Sequence, residues 1–144
     1  NRVYKKNVTD SKEEYYLQDN EGRTIGIFDY ITNSWVWYGF GKDRIAKIDV
    51  SKNEYYENDY LGNTRTTYNA GVVCSTGVVT YNIVNATDYY PHGRILRAFM
   101  GTGREKFLYT GKERDAETDI DYFGARFFDS EGAIFLSLDL KQMR

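Results

Sequence analysis

The chain has 144 residues, with 19 Lys and Arg against 21 Asp and Glu for a net charge of -2, so no basic field points to nucleic acid. No apolar run nears the roughly 20 residues that span a bilayer. One His and one Cys exclude an intrachain disulfide, a multi-histidine site and a cysteine metal cluster, and no metal or cofactor is expected.

What the chain has in excess is aromatic: 14 Tyr, 8 Phe and 2 Trp against a single Pro. Aromatic rings fit a pleated, half-buried surface, and tyrosine buries its ring while its hydroxyl stays wet. The composition predicts β-sheet. The first residue is Asn1, so the chain reads as a processed or excised segment, and its lack of a targeting signal says nothing about location.

From the N-terminus, Asn7-Val8-Thr9 fits the glycosylation acceptor pattern, as Asn85-Ala86-Thr87 does later. An internal repeat follows. EYYLQDNEGRT at 14–24 aligns with EYYENDYLGNT at 54–64, and Phe28 and Tyr68 continue the match. Each unit, 14–30 and 54–70, reads as a β-hairpin. Its paired tyrosines project to opposite faces of the first strand. Asp19 or Asp59 begins the turn by accepting backbone N–H groups, and Gly22 or Gly62 supplies the positive φ. Between the units, 31–49 gives a turn at Asn33-Ser34, an aromatic strand, and a break at Gly39 and Gly41. The segment Gly71–Gly77 lacks pattern and reads as a loop around Cys74, itself a small buried hydrophobe. A strand at 78–90 leads to a turn at Pro91-His92-Gly93, and 103–115 gives another strand and turn. Ala116-Glu117-Thr118 forms one helical turn at most. FFDSEG at 127–132 is a degenerate third copy, with Asp129 and Gly132 at the repeat's spacing.

These motifs have chemical rivals. A calcium loop needs oxygen ligands at alternate positions and a closing Glu, which neither Asp19-Asn20-Glu21-Gly22 nor Asp59-Tyr60-Leu61-Gly62 supplies. His92 would have to serve any Ser–His–Asp triad, yet it stands in a turn sequence suited to packing. Trp35, Trp37 and Tyr38 are the candidate binding residues, as a platform for glycans or a partner protein. Their alternative role is packing within the sheet.

The stretch TGKERDAETDIDYFGARFFD, from Thr110 to Asp129, resembles the core motif of rearrangement-hotspot (Rhs) and YD-repeat proteins. Thr110, Gly111, Lys112, Glu113, Arg114, Asp115, Glu117, Thr118, Tyr122, Phe123, Gly124, Ala125, Arg126 and Asp129 match the family pattern in place. DYYPHGRIL at 88–96 and FLSLD at 135–139 are similar to its flanks, and the repeat units to its last repeats. The resemblance implies antiparallel hairpins in a curved open sheet or strip, with repeat hairpins over 1–77 and the core region over 78–144. It implies a secreted or cell-surface structural protein, whose bacterial members encapsulate a toxin and cut themselves downstream by an aspartyl mechanism.

Here Leu140-Lys141-Gln142 replaces the expected aspartyl continuation, and Ala133-Ile134 replaces Gly-Arg. Asp139 has no recognisable partner to share a proton with, so self-cleavage and other catalysis are not expected. A dozen strands at about 4.8 Å would close into a barrel too narrow for a cargo domain. The chain therefore reads as part of a wall. Its expected partners are copies of itself, joined by strand addition, or the remaining β-shell of a parent protein.

Overall fold

The computed structural model describes residues 2–9, 11–70, 80–100 and 105–138. It is an all-β, antiparallel fold. Nine strands form one open sheet in strict chain order: β1 (Tyr4–Lys6), β2 (Glu13–Gln18), β3 (Thr24–Asp29), β4 (Ser34–Phe40), β5 (Arg44–Ile48), β6 (Asn53–Asn58), β7 (Thr64–Ala70), β8 (Tyr81–Tyr89) and β9 (Ile95–Met100). Four short strands form a second sheet: β10 (Glu113–Arg114), β11 (Asp121–Tyr122), β12 (Phe127–Asp129) and β13 (Ile134–Phe135). The described residues contain one short 3-10 turn, at Tyr109–Gly111. By compactness the chain divides into Asn1–Tyr55 and Tyr56–Arg144. β7 and β8, on either side of residue 77, pair with each other.

The turns explain why neighbours in sequence become neighbours in the sheet. Asp19 Oδ1 accepts the backbone N–H groups of Glu21 and Arg23, both at 2.9 Å, and Asp59 Oδ1 accepts those of Leu61 and Asn63, both at 3.0 Å. The other carboxylate oxygen takes the side chain four residues on, Arg23 Nε at 2.7 Å or Asn63 Nδ2 at 2.8 Å. Gly22 and Gly62 close these turns at φ 77° and 80°, where an L side chain is strained.

The same backbone turn recurs without its aspartate. In Asp19–Arg23, Asp59–Asn63, Tyr90–Arg94 and Leu108–Lys112 the first N–H donates to the fifth carbonyl, and the glycine N–H donates back to the first carbonyl. At Tyr90 a proline at the second position pre-sets φ and replaces the carboxylate's work. Gly93 also has no room for a side chain, because a Cβ there would lie 2.5 Å from the Tyr109 ring.

A second kind of turn follows Asp29, Asp49 and Asp129. Each Oδ1 accepts the N–H groups two and three residues on. In the turns after Asp29 and Asp129 a positive φ then falls at the fifth residue, Asn33 at 49° and Ala133 at 56°. This corrects the reading of FFDSEG as a third copy of the Asp19 and Asp59 turn. Gly132 lies outside the left-handed region, and the segment instead repeats the Phe28–Asn33 turn.

The strand expected over 103–115 is another correction. Among the described residues it shrinks to a single bridge, Phe107 with Glu113, and the two-residue β10. The Glu105 carboxylate captures the N–H groups of Lys106 and Phe107 at 2.9 and 3.0 Å, and Leu108 O accepts Thr64 N–H. Backbone groups spent in that way cannot extend a ladder. The expected break at Gly39 is a register shift between Gly39 and Phe40, and β4 runs through it.

Candidate interaction surface

In the first unit, strict alternation gives the sheet two unlike faces. Tyr15 is 42% exposed, and its sequence neighbour Tyr16 is 7% exposed. Cross-strand register then lines up rings of one face: Tyr4 pairs with Tyr15, Tyr15 with Phe28, and Phe28 with Trp35. Ring centroids lie 5.1, 6.4 and 5.3 Å apart in that order, and Trp35 stacks on Trp37 at 4.9 Å and 17°. The row is a continuous aromatic ladder over four strands. Gly26 makes room for it, because a Cβ there would lie 3.1 Å from the Trp37 ring and 3.2 Å from that of Trp35.

The structure separates the candidate binding residues. Trp35 and Trp37 share the open face, but Tyr38 points to the other side and is buried, with the Arg44 guanidinium 5.0 Å from its ring centre. Ring faces turned on one another are less free to stack a sugar. Even so, Trp35 and Trp37 remain 37% and 42% exposed, enough to meet a partner.

The opposite face is buried and mixes Tyr16, Ile27 and Tyr38 with the carboxylates of Glu14 and Glu54. Lys12 Nζ lies 3.0 Å from Glu14, and Glu54 takes Lys52 at 2.7 Å and Lys47 at 3.0 Å. Burial alone would raise the pKa of Glu54, but the two ammonium groups outweigh it and hold the carboxyl below its ordinary range. The repeat read from the sequence missed these pairs. Their signal was present, since Ser11-Lys12 and Ser51-Lys52 are identical at the same offset of 40 residues.

In the second unit the family-like motif forms a buried clamp. Arg114 Nε and Nη2 reach the two oxygens of Asp121 at 2.8 and 2.6 Å, and Nη2 also donates to Gly93 O at 3.1 Å. Asp115 N–H donates to Ile120 O and Asp115 O accepts Asp119 N–H at 2.8 Å, which confines Ala116–Thr118 to a turn. Thr110 N–H donates to Asn63 Oδ1 at 2.7 Å and so ties the motif to the second repeat turn. Glu113 is buried beside Lys106, at 3.3 Å. Lys112 and Arg126 lie over the rings of Phe123 and Phe135, at 5.7 and 3.8 Å. Tyr122 packs on Phe127 at 5.3 Å, while Gly111 and Gly124 hold positive φ. The matched residues thus build a small core and turns.

Elsewhere in that unit Tyr89 donates to Thr64 O at 2.9 Å, and burial pushes its pKa up. His92 stacks on Tyr90 within its turn. Asn85, in the second acceptor pattern, is buried and donates to Thr67 Oγ1 at 3.1 Å. Cys74, the Gly71–Gly77 loop and Asp139 lie outside the described residues. Among the described residues no cluster of three or more His, Cys, Asp or Glu is arranged to hold a metal ion, and no helix is long and apolar enough to cross a membrane.

No protein-family model matches the chain. Salivary gland surface protein 1 of Aedes aegypti is 28% identical over 141 residues, which span 87% of this chain and 4% of that protein. A chain in the crystal structure of TcdB2-TccC3-Cdc42 shares the fold, with a TM-score of 0.58 at 17% identity, over 94% of this chain and 8% of its own length.

Proposed function

We propose that the chain is a non-catalytic wall module of an Rhs/YD-repeat type secreted or surface protein, joining its neighbours through sheet edges. The observation that carries this is the sheet itself: nine strands in unbroken chain order, each hairpin adding to the last, with no further strand paired outside the first or the last among the described residues. An exposed edge is a template for another strand. The shared fold with a chain in a toxin complex fits such a wall, and the salivary surface relative fits a secreted or surface location. Toxin encapsulation belongs to a whole shell, of which this chain would be one stretch.

Light scattering over a concentration series, together with intact mass after incubation from acid to neutral pH, tests this reading. Mass should stay constant while association grows with concentration. Cleavage that disappears in Asp139→Asn would replace the wall with an autoprotease.

A second reading rests on the half-exposed Trp35 and Trp37. The ladder would dock a partner protein or a glycan, and quenching of tryptophan fluorescence by candidate ligands tests it.

A further inference from the structure

The two open edges of the sheet are not alike. β1 is three residues long and carries Lys5 and Lys6, with Lys6 Nζ held 2.7 Å from Glu13 Oε1. Short length and lysine both blunt an edge. β9 is six residues long, and among the described residues no strand pairs with its outer side. Leu96, Arg97, Ala98 and Phe99 are exposed in succession, with Leu96 at 52% and Phe99 at 57%. Packing on one face alone would bury every second one of these residues, so both faces of β9 are open as well as its edge. Its one charge, Arg97, has Nε engaged by Asp88, which Arg65 also holds. Beside this cluster lies an open groove of about 590 Å³, with Arg97, Ala98 and Phe99 along one side.

We propose that β9 is a self-complementary edge, through which two copies of the chain pair antiparallel about Ala98. This rests on the reading that the module joins through its edges, and it names which edge and which partner. A two-fold axis perpendicular to the sheet must pair residues that project from the same face, because cross-strand partners share a face. That restricts the register to a few alternatives. Centred on Arg97, the pairing opposes two guanidinium groups. Centred on Ala98, it sets the smallest side chain at the axis and places each Arg97 opposite the other copy's Phe99, at the mouth of the groove. A guanidinium beside an aromatic ring is an attractive contact.

The test is disulfide trapping in a Cys74→Ser background, which removes the native thiol. Directly opposed residues of an antiparallel pair have Cα atoms about 4.5–5.5 Å apart, within the span of a disulfide. Ala98→Cys should therefore cross-link to a dimer under mild oxidation, doubling the 16.8 kDa mass. Lys5→Cys, on the β1 edge, should stay monomeric. Phe99→Ala removes an exposed ring and should move self-association to higher concentration, a readout that stands even where the cysteine variants fold poorly. Association that persists unchanged in Phe99→Ala and cross-links only through Lys5→Cys overturns the assignment of β9 and leaves edge joining intact. A chain monomeric at every concentration overturns both.

Discussion

Asp121→Ala is the sharpest test of how the motif between Thr110 and Asp129 holds the second unit together. Asp121 is fully buried and Arg114 is 3% exposed, so the pair meets almost no water. Removing the carboxylate deletes the hydrogen bonds at 2.8 and 2.6 Å and leaves a buried guanidinium that still donates to Gly93 O. Breaking one side of a buried pair costs about 3–5 kcal/mol, because the surviving charge stays desolvated. Against a typical stability of about 5–15 kcal/mol, that is a large fraction of the total. For a chain of this length it lowers the melting temperature by roughly 10–17 °C. Arg114→Met with Asp121→Leu should recover most of the loss, since replacing both charges removes the desolvation cost along with the attraction. Urea denaturation followed by tyrosine fluorescence and far-ultraviolet circular dichroism measures all three proteins. An Asp121→Ala variant within about 1 kcal/mol of the parent, or a double variant no better than the single one, would refute the clamp.

The turns make a paired prediction of opposite sign. Gly62→Val forces a β-branched residue to φ 80° and should cost more than about 1 kcal/mol, while Ala133→Gly relieves a left-handed alanine and should stabilise by up to about 1 kcal/mol in the same denaturation assay. In the first unit, Gly26→Val pushes a side chain into the Trp35–Trp37 stack, so near-ultraviolet circular dichroism of the indoles should collapse. For Glu54 the folded carboxyl binds its proton less tightly than the unfolded one, whose ordinary value is 4.5. Its stabilising contribution is therefore present above that pH and declines as the pH falls through the lower folded value. Glu54→Gln should reduce stability at neutral pH and flatten the acid limb of a stability-against-pH curve.

Much of this was legible because β-structure writes its faces into alternate residues. Tyr15 and Tyr16, and likewise Tyr55 and Tyr56, fall on open and buried sides as their spacing demands. Gly22 and Gly62 take positive φ because their turns require it. The same alternation separates Tyr38 from Trp35 and Trp37, and grouping the three as one site overlooked it. Other features depend on partners distant in sequence. Nothing local tells that Arg114 finds Asp121 and Gly93. The turns at Tyr90 and Leu108 lack the aspartate that marked the others, so Pro91 with Gly93 announced the first and Gly111 alone the second. Asp129 misled for the opposite reason: a DxxG spacing fits two turn types, and the residue after Gly132 decides between them.

The most direct test of the wall is site-resolved hydrogen exchange in dilute solution and again at high concentration. An open sheet predicts fast exchange in β1 and β9 against slow exchange in interior strands such as β4 and β5, with edge protection rising as copies associate. Edge strands as protected as the central ones at every concentration would mean that first and last strands pair with each other. A closed barrel has no edge to offer, and that result would contradict the account.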